Sequence, residues 1–322
     1  MGLEAAISEG VAYGEFLHQR RSTQSKLATL DLLGAANLTH PDTDRILFAR
    51  VIDDIVERKP FSVVRLGDGE GNVLFWGSRR AEYPALAQAG MDGIWSLMFG
   101  GAAPGDDSFD LLYELISAAA LNADYLGVPF AVQDEHSIDL MRNPDRDTVG
   151  IRGTMGQAAV WDWVAAHTLE SIESGRKILV NAYFHSSLPG YLQPMLASAG
   201  RVSLITCHEQ LMDRFVHHFG TQPGSNLLIP AQYSNSGTRP DGIHFPERFL
   251  QIDSELSRRD LSGELFLVGA GLPGKAYCDR IRRQGGMAID VGSMMDVWMG
   301  LSVRQYHDAA FMAECQLGPA VA

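Results

Sequence analysis

Two hydrophobic periods alternate along the chain. Short apolar runs at 61–64, 124–128, 176–181, 201–206, 226–230, 265–268 and 287–291 carry little polar alternation. Runs of this kind predict strands buried on both faces of a sheet. Between them, apolar residues recur at helical spacing. Ile46, Leu47, Val51, Ile52, Ile55 and Val56 mark one face of a helix that ends before Lys59-Pro60. Further helices are expected at 11–19, 109–121, 154–170, 189–199, 207–218, 245–258 and 274–284, with shorter ones at 83–88 and 93–99. Trp161 and Trp163 would anchor the helix that carries them. Strands alternating with helices predict an α/β fold: a doubly wound, mostly parallel sheet with helices on both faces, Rossmann-like in plan. Residues 1–40 read as an N-terminal arm against the body or a second copy of the chain, and 41–322 as a single α/β domain. No internal repeat interrupts this reading.

The chain has 322 residues, 46% hydrophobic and 20% charged, enough to bury a sizeable core. Its net charge is −13, and its pI is about 5.1. Such a surface does not attract nucleic acid, so an anionic ligand needs local cations or a metal. The three cysteines, Cys207, Cys278 and Cys315, are far apart and form no C-x-x-C. Reduced thiols in the cytoplasm are the expectation. The acidic start lacks the long apolar run of a signal peptide, and no run is long enough for a transmembrane helix.

The run 61–64 leads into Arg65-Leu66-Gly67-Asp68-Gly69-Glu70. Asp68 and Glu70 thus fall on a glycine-rich turn at the carboxyl end of a strand, where open α/β sheets bind ligands. Gly67 and Gly69 let backbone approach a ligand closely. Two carboxylates there suit a hard cation, Mn2+ or Mg2+, which keeps substrate phosphates in its shell. A solvated turn has the same composition. The whole string resembles the R-x-G-D-G-E signature of the bacterial GT-D glycosyltransferases. The resemblance implies a transferase that takes a nucleoside diphosphate sugar as donor and a glycan or lipid-linked acceptor. Asp68 and Glu70 would be its catalytic and metal-binding residues, with Arg65 a cation for the diphosphate. The expected location is the cytoplasm, at most peripheral to the inner face of the membrane, with homo-oligomers allowed. In an inverting reaction Glu70 or Asp68 would also be the candidate base.

A second signal lies near the C-terminus. Gly269-Ala270-Gly271-Leu272-Pro273-Gly274 matches G-x-G-x-x-G between a strand and a helix, and Lys275 opens the helix. Asp290 follows about 20 residues after the first glycine. Such a loop offers backbone N–H groups and a helix dipole to a phosphate. Gly269, Gly271, Gly274, Lys275 and Asp290 are therefore candidate substrate-binding residues. The rival reading is an NAD(P)-dependent oxidoreductase built on this fingerprint, although few residues remain for a second mononucleotide half. A non-catalytic nucleotide-binding protein is the third. The segment through Gly292-Ser293 and Asp296-x-Trp298 also resembles the GT-D type.

Other polar residues carry weaker signals. Arg79 and Arg80 read as a solvated break or as diphosphate contacts. Asp134, Glu135, His136, Asp139 and Arg142 form a polar stretch after a strand. His185, His208 and His244 each stand near a strand end, and each is a candidate base or phosphate contact. Residues 231–244 read as a lid or acceptor loop.

Overall fold

The run Phe61–Arg65 forms a strand whose first four residues are all buried, the reason it shows no polar alternation. In the computed structural model the described residues are 2–23, 43–101, 104–129, 148–236, 242–304 and 307–319. In chain order the main elements are α1 (Leu3–Thr23), α2 (Thr43–Val56), β1 (Phe61–Arg65), α3 (Asp68–Arg79), α4 (Pro84–Met98), α5 (Asp106–Asn122) and β2 (Tyr125–Val128). Then come α6 (Thr148–His167), β3 (Ile178–Asn181), α7 (Pro189–Ser198), β4 (Arg201–Thr206), α8 (Leu211–Phe219), β5 (Pro223–Leu228) and α9 (Phe249–Ser257). The chain ends with β6 (Glu264–Val268), α10 (Gly274–Arg283), β7 (Met287–Asp290), α11 (Met294–Trp298) and α12 (Ala309–Cys315). The fold is α/β with an all-parallel, seven-stranded sheet in the hydrogen-bonded order β3-β2-β1-β7-β6-β4-β5, of the Rossmann-like doubly wound type.

The chain divides into two compact units, Met1–Thr43 with Arg65–Tyr183 and Asp44–Val64 with Phe184–Ala322. In the first unit α3 packs on α4, α5 and α6, and α1 packs on α4 and α6. Residues 3–23 of the expected arm are thus a helix within this unit. The α3–α6 crossing is a backbone contact. A Cβ on Gly71 would stand 1.7 Å from the Gly156 carbonyl oxygen, and one on Gly156 would stand 2.1 Å from that of Asp68. Only glycine leaves room there. Asn72, wholly buried, donates from Nδ2 to the Asp68 carbonyl at 2.7 Å and fixes the same turn.

The second unit holds β1 paired in parallel with β7, β7 with β6, β6 with β4 and β4 with β5. Helix α2 buries Leu47, Phe48, Val51 and Ile55, and Phe48 stacks on Tyr191 at 4.5 Å. Ile46 and Val56, expected on the buried face, are 45% and 63% exposed. Leu47, Val51 and Ile55 are buried as expected, and Phe48 takes the place in the core that Ile46 and Val56 do not. Helix α10 packs on β6 and β7, and α9 packs on α10.

Several elements differ from expectation. The two short helices expected at 83–88 and 93–99 are one helix, α4, because Gly90 and Gly93 do not break it. The polar break at Arg79 is absent, since α3 continues to Arg79. The helix expected to open at Cys207 begins at Leu211. The polar stretch with Asp134, Glu135, His136, Asp139 and Arg142 lies outside the described residues, as do residues 237–241 of the expected lid.

Candidate functional site

In the first unit, helix α3 begins at Asp68, so the D-G-E string is its first turn rather than a free turn before it. The cause is Glu70. Its carboxylate Oε2 accepts from the Gly67 N–H at 2.7 Å, satisfying a donor that the helix leaves unbonded. Glu70 is 8% exposed, whereas Asp68 is half-buried. Positions i and i+2 leave a helix about 200° apart, so the two carboxylates diverge. A hard cation with its substrate phosphates needs only one or two carboxylates. Asp68 fits that part, while Glu70 fixes the turn. Arg65 follows at the end of β1, and its Nη1 donates to the Ala182 carbonyl at 3.2 Å. A Cβ on Gly127 would lie 3.2 Å from Arg65 Cγ, so the glycine lets this side chain cross β2. The Leu66 N–H donates to the Gly127 carbonyl at 2.8 Å. Within this unit Arg65, Gly67, Asp68, Gly69 and Glu70 form one short stretch, which Arg65 and Leu66 tie to the ends of β3 and β2.

The arginines after them are engaged. Arg79 reaches buried Asp162 through Nε at 2.9 Å and Nη2 at 2.8 Å, and Tyr13 Oη lies 3.4 Å from the same carboxylate oxygen. Burial first, then Asp162, pushes the Tyr13 hydroxyl well above its ordinary range. Arg80 pairs with Asp110 at the surface.

In the second unit the G-A-G-L-P-G loop follows β6. Gly271 has φ +58°, in the left-handed region that favours glycine. A Cβ on Gly269 would meet Met295 Cγ at 2.3 Å and the Gly292 carbonyl at 2.9 Å, so this loop lies against the one after β7. Gly274 opens α10. Lys275, expected as a cation for a diphosphate, is 4% exposed. Its ammonium lies 3.1 Å from Asp290 Oδ2 and donates to the Gly271 carbonyl at 3.0 Å. Asp290, the acid of the expected fingerprint and a candidate substrate-binding residue, is 1% exposed and faces that ammonium. Lys275 and Asp290 thus tie the glycine loop to β7 from within.

Beside this loop stands a group whose members the sequence named only separately, His208 as a candidate base and Asp296 within another string. Cys207 and His208 follow β4, and Asp296 lies in α11 after β7. Both strands flank β6, so the parallel sheet brings their carboxyl ends to one edge. His208 Nε2 lies 2.9 Å from Asp296 Oδ1. The ligand atoms of Cys207, His208 and Asp296 lie within 4.8 Å of one another, all half-buried. Burial alone pulls the His208 imidazole down. Hydrogen bonds to Asp296 and Cys207 outweigh it and raise its pKa to about 9. The available signal was positional: a Cys-His pair and an aspartate, each just past a buried strand.

The other two candidate histidines are packing groups. His185 is 1% exposed. His244 lies 3.0 Å from the Tyr277 hydroxyl, and burial, aided by Arg248, lowers its pKa to about 3. The sign follows. A depressed histidine lends stability that is complete above its ordinary pKa and is lost as pH falls. Urea unfolding between pH 7 and pH 4 should show wild type losing about 1.4 kcal/mol per pH unit below 6.5 from this group. His244→Gln should flatten that slope by about one proton, and an unchanged slope would show that His244 titrates normally.

No protein-family model, no curated protein and no solved structure matches this chain. Among the described residues, no helix is long and apolar enough to cross a membrane.

Proposed function

We propose that this protein is a glycosyltransferase that moves a sugar from a nucleoside diphosphate sugar to a glycan or lipid-linked acceptor in the cytoplasm. The observation that carries the reading is Asp68, half-buried in the first turn of α3 where β1 ends, in a string that resembles the GT-D signature. A helix N-terminus favours anionic groups, and Arg65 adds a cation within the same unit. Mn2+ or Mg2+ held by Asp68 and the donor's phosphates would neutralise charge on the leaving diphosphate. Glu70 acts as a positioning residue, because its carboxylate fixes the Gly67 N–H. In the glycine loop of the second unit the Gly269 N–H bonds to the Ile205 carbonyl and the Gly274 N–H to that of Gly271, so a phosphate would meet the loop between them, at Ala270 to Leu272. The oxidoreductase reading is less favoured, since Lys275 engages the Asp290 carboxylate that a ribose would need.

The test is a thermal-shift screen of UDP-, GDP-, TDP- and CMP-sugars and NAD(H), with and without Mn2+. One sugar nucleotide should raise Tm only with the metal. Asp68→Ala should abolish that rise, read against the variant's own ligand-free Tm. Glu70→Gln should lower the ligand-free stability by about 1–2 kcal/mol through the weakened cap. A rise with NAD(H) alone, untouched by Asp68→Ala, would sink the transferase and promote the oxidoreductase.

A further inference from the structure

We propose that Cys207, His208 and Asp296 form a binding site for a zinc ion with an open fourth position. The inference uses only the second unit and is independent of the transferase reading, whose metal ligand is Asp68.

The donor set selects the ion. A thiolate is soft, an imidazole borderline and a carboxylate hard. Mg2+ and Ca2+ prefer oxygen throughout, whereas Zn2+ accepts all three. Thiolate and carboxylate together supply two negative charges and the neutral imidazole none, so a divalent cation balances the group. Geometry agrees. Ligand atoms around tetrahedral zinc, at about 2.0–2.3 Å from the ion, lie about 3.3–3.6 Å apart. His208 Nε2 and Asp296 Oδ1, 2.9 Å apart, need open by only a few tenths of an ångström, the ion replacing the proton between them. One ligand atom from each of Cys207, His208 and Asp296 already lies within 4.8 Å of the others, so the set needs to close by only about an ångström.

The scaffold holds the donors before any ion arrives. The His208 N–H donates to Thr206 Oγ1 at 3.2 Å, fixing the step out of β4. Asp296 sits in a helical turn whose N–H groups bond back to Ser293 and Gly292. The Gly292 carbonyl and Met295 are the groups that press on Gly269. Three protein donors that remain half-exposed leave one tetrahedral position to water or an incoming anionic ligand, as in exchangeable rather than closed structural zinc sites. The glycine loop lies beside it, with Gly269 against Met295 and the Gly292 carbonyl.

The experiment uses the full chain stripped with a chelator and titrated with Co2+, then Zn2+. One equivalent of Co2+ should give a thiolate-to-cobalt charge-transfer band and tetrahedral d–d bands, and Zn2+ should bleach both. Cys207→Ser should lose the charge-transfer band. His208→Gln and Asp296→Asn should each weaken Zn2+ binding at least about 100-fold. Asp68→Ala should leave all spectra unchanged, which separates failure here from failure of the transferase. Absence of the band in wild type, or its survival in Cys207→Ser, overturns the proposal. Should Cys207→Ser fail to fold, alkylation of wild type decides. Cys278 and Cys315 are buried and Cys207 is half-buried, so Zn2+ should slow iodoacetamide modification of the Cys207 peptide at least about tenfold, and an unchanged rate overturns the site.

Discussion

Lys275→Met is expected to remove about 3–5 kcal/mol of stability while acting on no ligand contact. The side chains of Lys275 and Asp290 are 5% and 1% exposed. Removing the ammonium leaves a carboxylate in the core without the charge that faced it, and also takes a donor from the Gly271 carbonyl. The opposite change separates folding from binding. Replacing both partners with apolar residues, Lys275→Met with Asp290→Leu, removes the charge as well as its partner and should recover most of the loss. Urea unfolding of the two variants checks this. A Lys275→Met protein as stable as wild type but weaker toward a nucleotide would show that the lysine reaches a phosphate, as its place after the glycine loop suggested.

Arg79→Ala should cost about 3–5 kcal/mol for the same reason, in the other unit. Asp162 is 4% exposed, and the Arg79 guanidinium reaches it by two N–H groups. The same guanidinium lies 4.8 Å over the Phe16 ring, so the substitution also loosens α1. Its neighbour is the control. Arg80 pairs with Asp110, but both side chains are about 40% exposed, and Arg80→Ala should change stability by no more than about 1 kcal/mol. A scan of both variants by chemical denaturation decides. Equal, small losses would mean that water reaches Asp162 and that the pair is not a core one.

The adjacent arginines show where sequence reading stops. Both belong to one polar-looking string, and composition gives them one environment. Asp162 lies 83 positions away from Arg79, so only the packing of α6 on α3 separates a core ion pair from a surface one. The same holds for the D-G-E string. Its residues and its place after a buried strand were legible, because apolar β-branched runs and glycines act locally. That Glu70 would cap the helix rather than face outward beside Asp68 depends on the helix starting one residue after Gly67. The glycine loop was legible for the same local reasons, but the engagement of Lys275 with Asp290 was not.

The zinc ligands are the furthest case. His208 and Asp296 are 88 positions apart. Cys207 read as an ordinary reduced thiol, His208 as one of three similar histidines, and Asp296 as part of a separate string. They meet because β4 and β7 both pair with β6.

Legible from local pattern were the α/β class, seven strands, of which β5 lies at Pro223–Leu228 rather than the expected 226–230, the two glycine-rich loops and the absence of a long apolar span. Each is set by local period and local backbone freedom. The tertiary structure alone decided the strand order, which charges are buried, and which side chains share an edge. Those depend on contacts between residues far apart in the chain, whose partners no local pattern encodes.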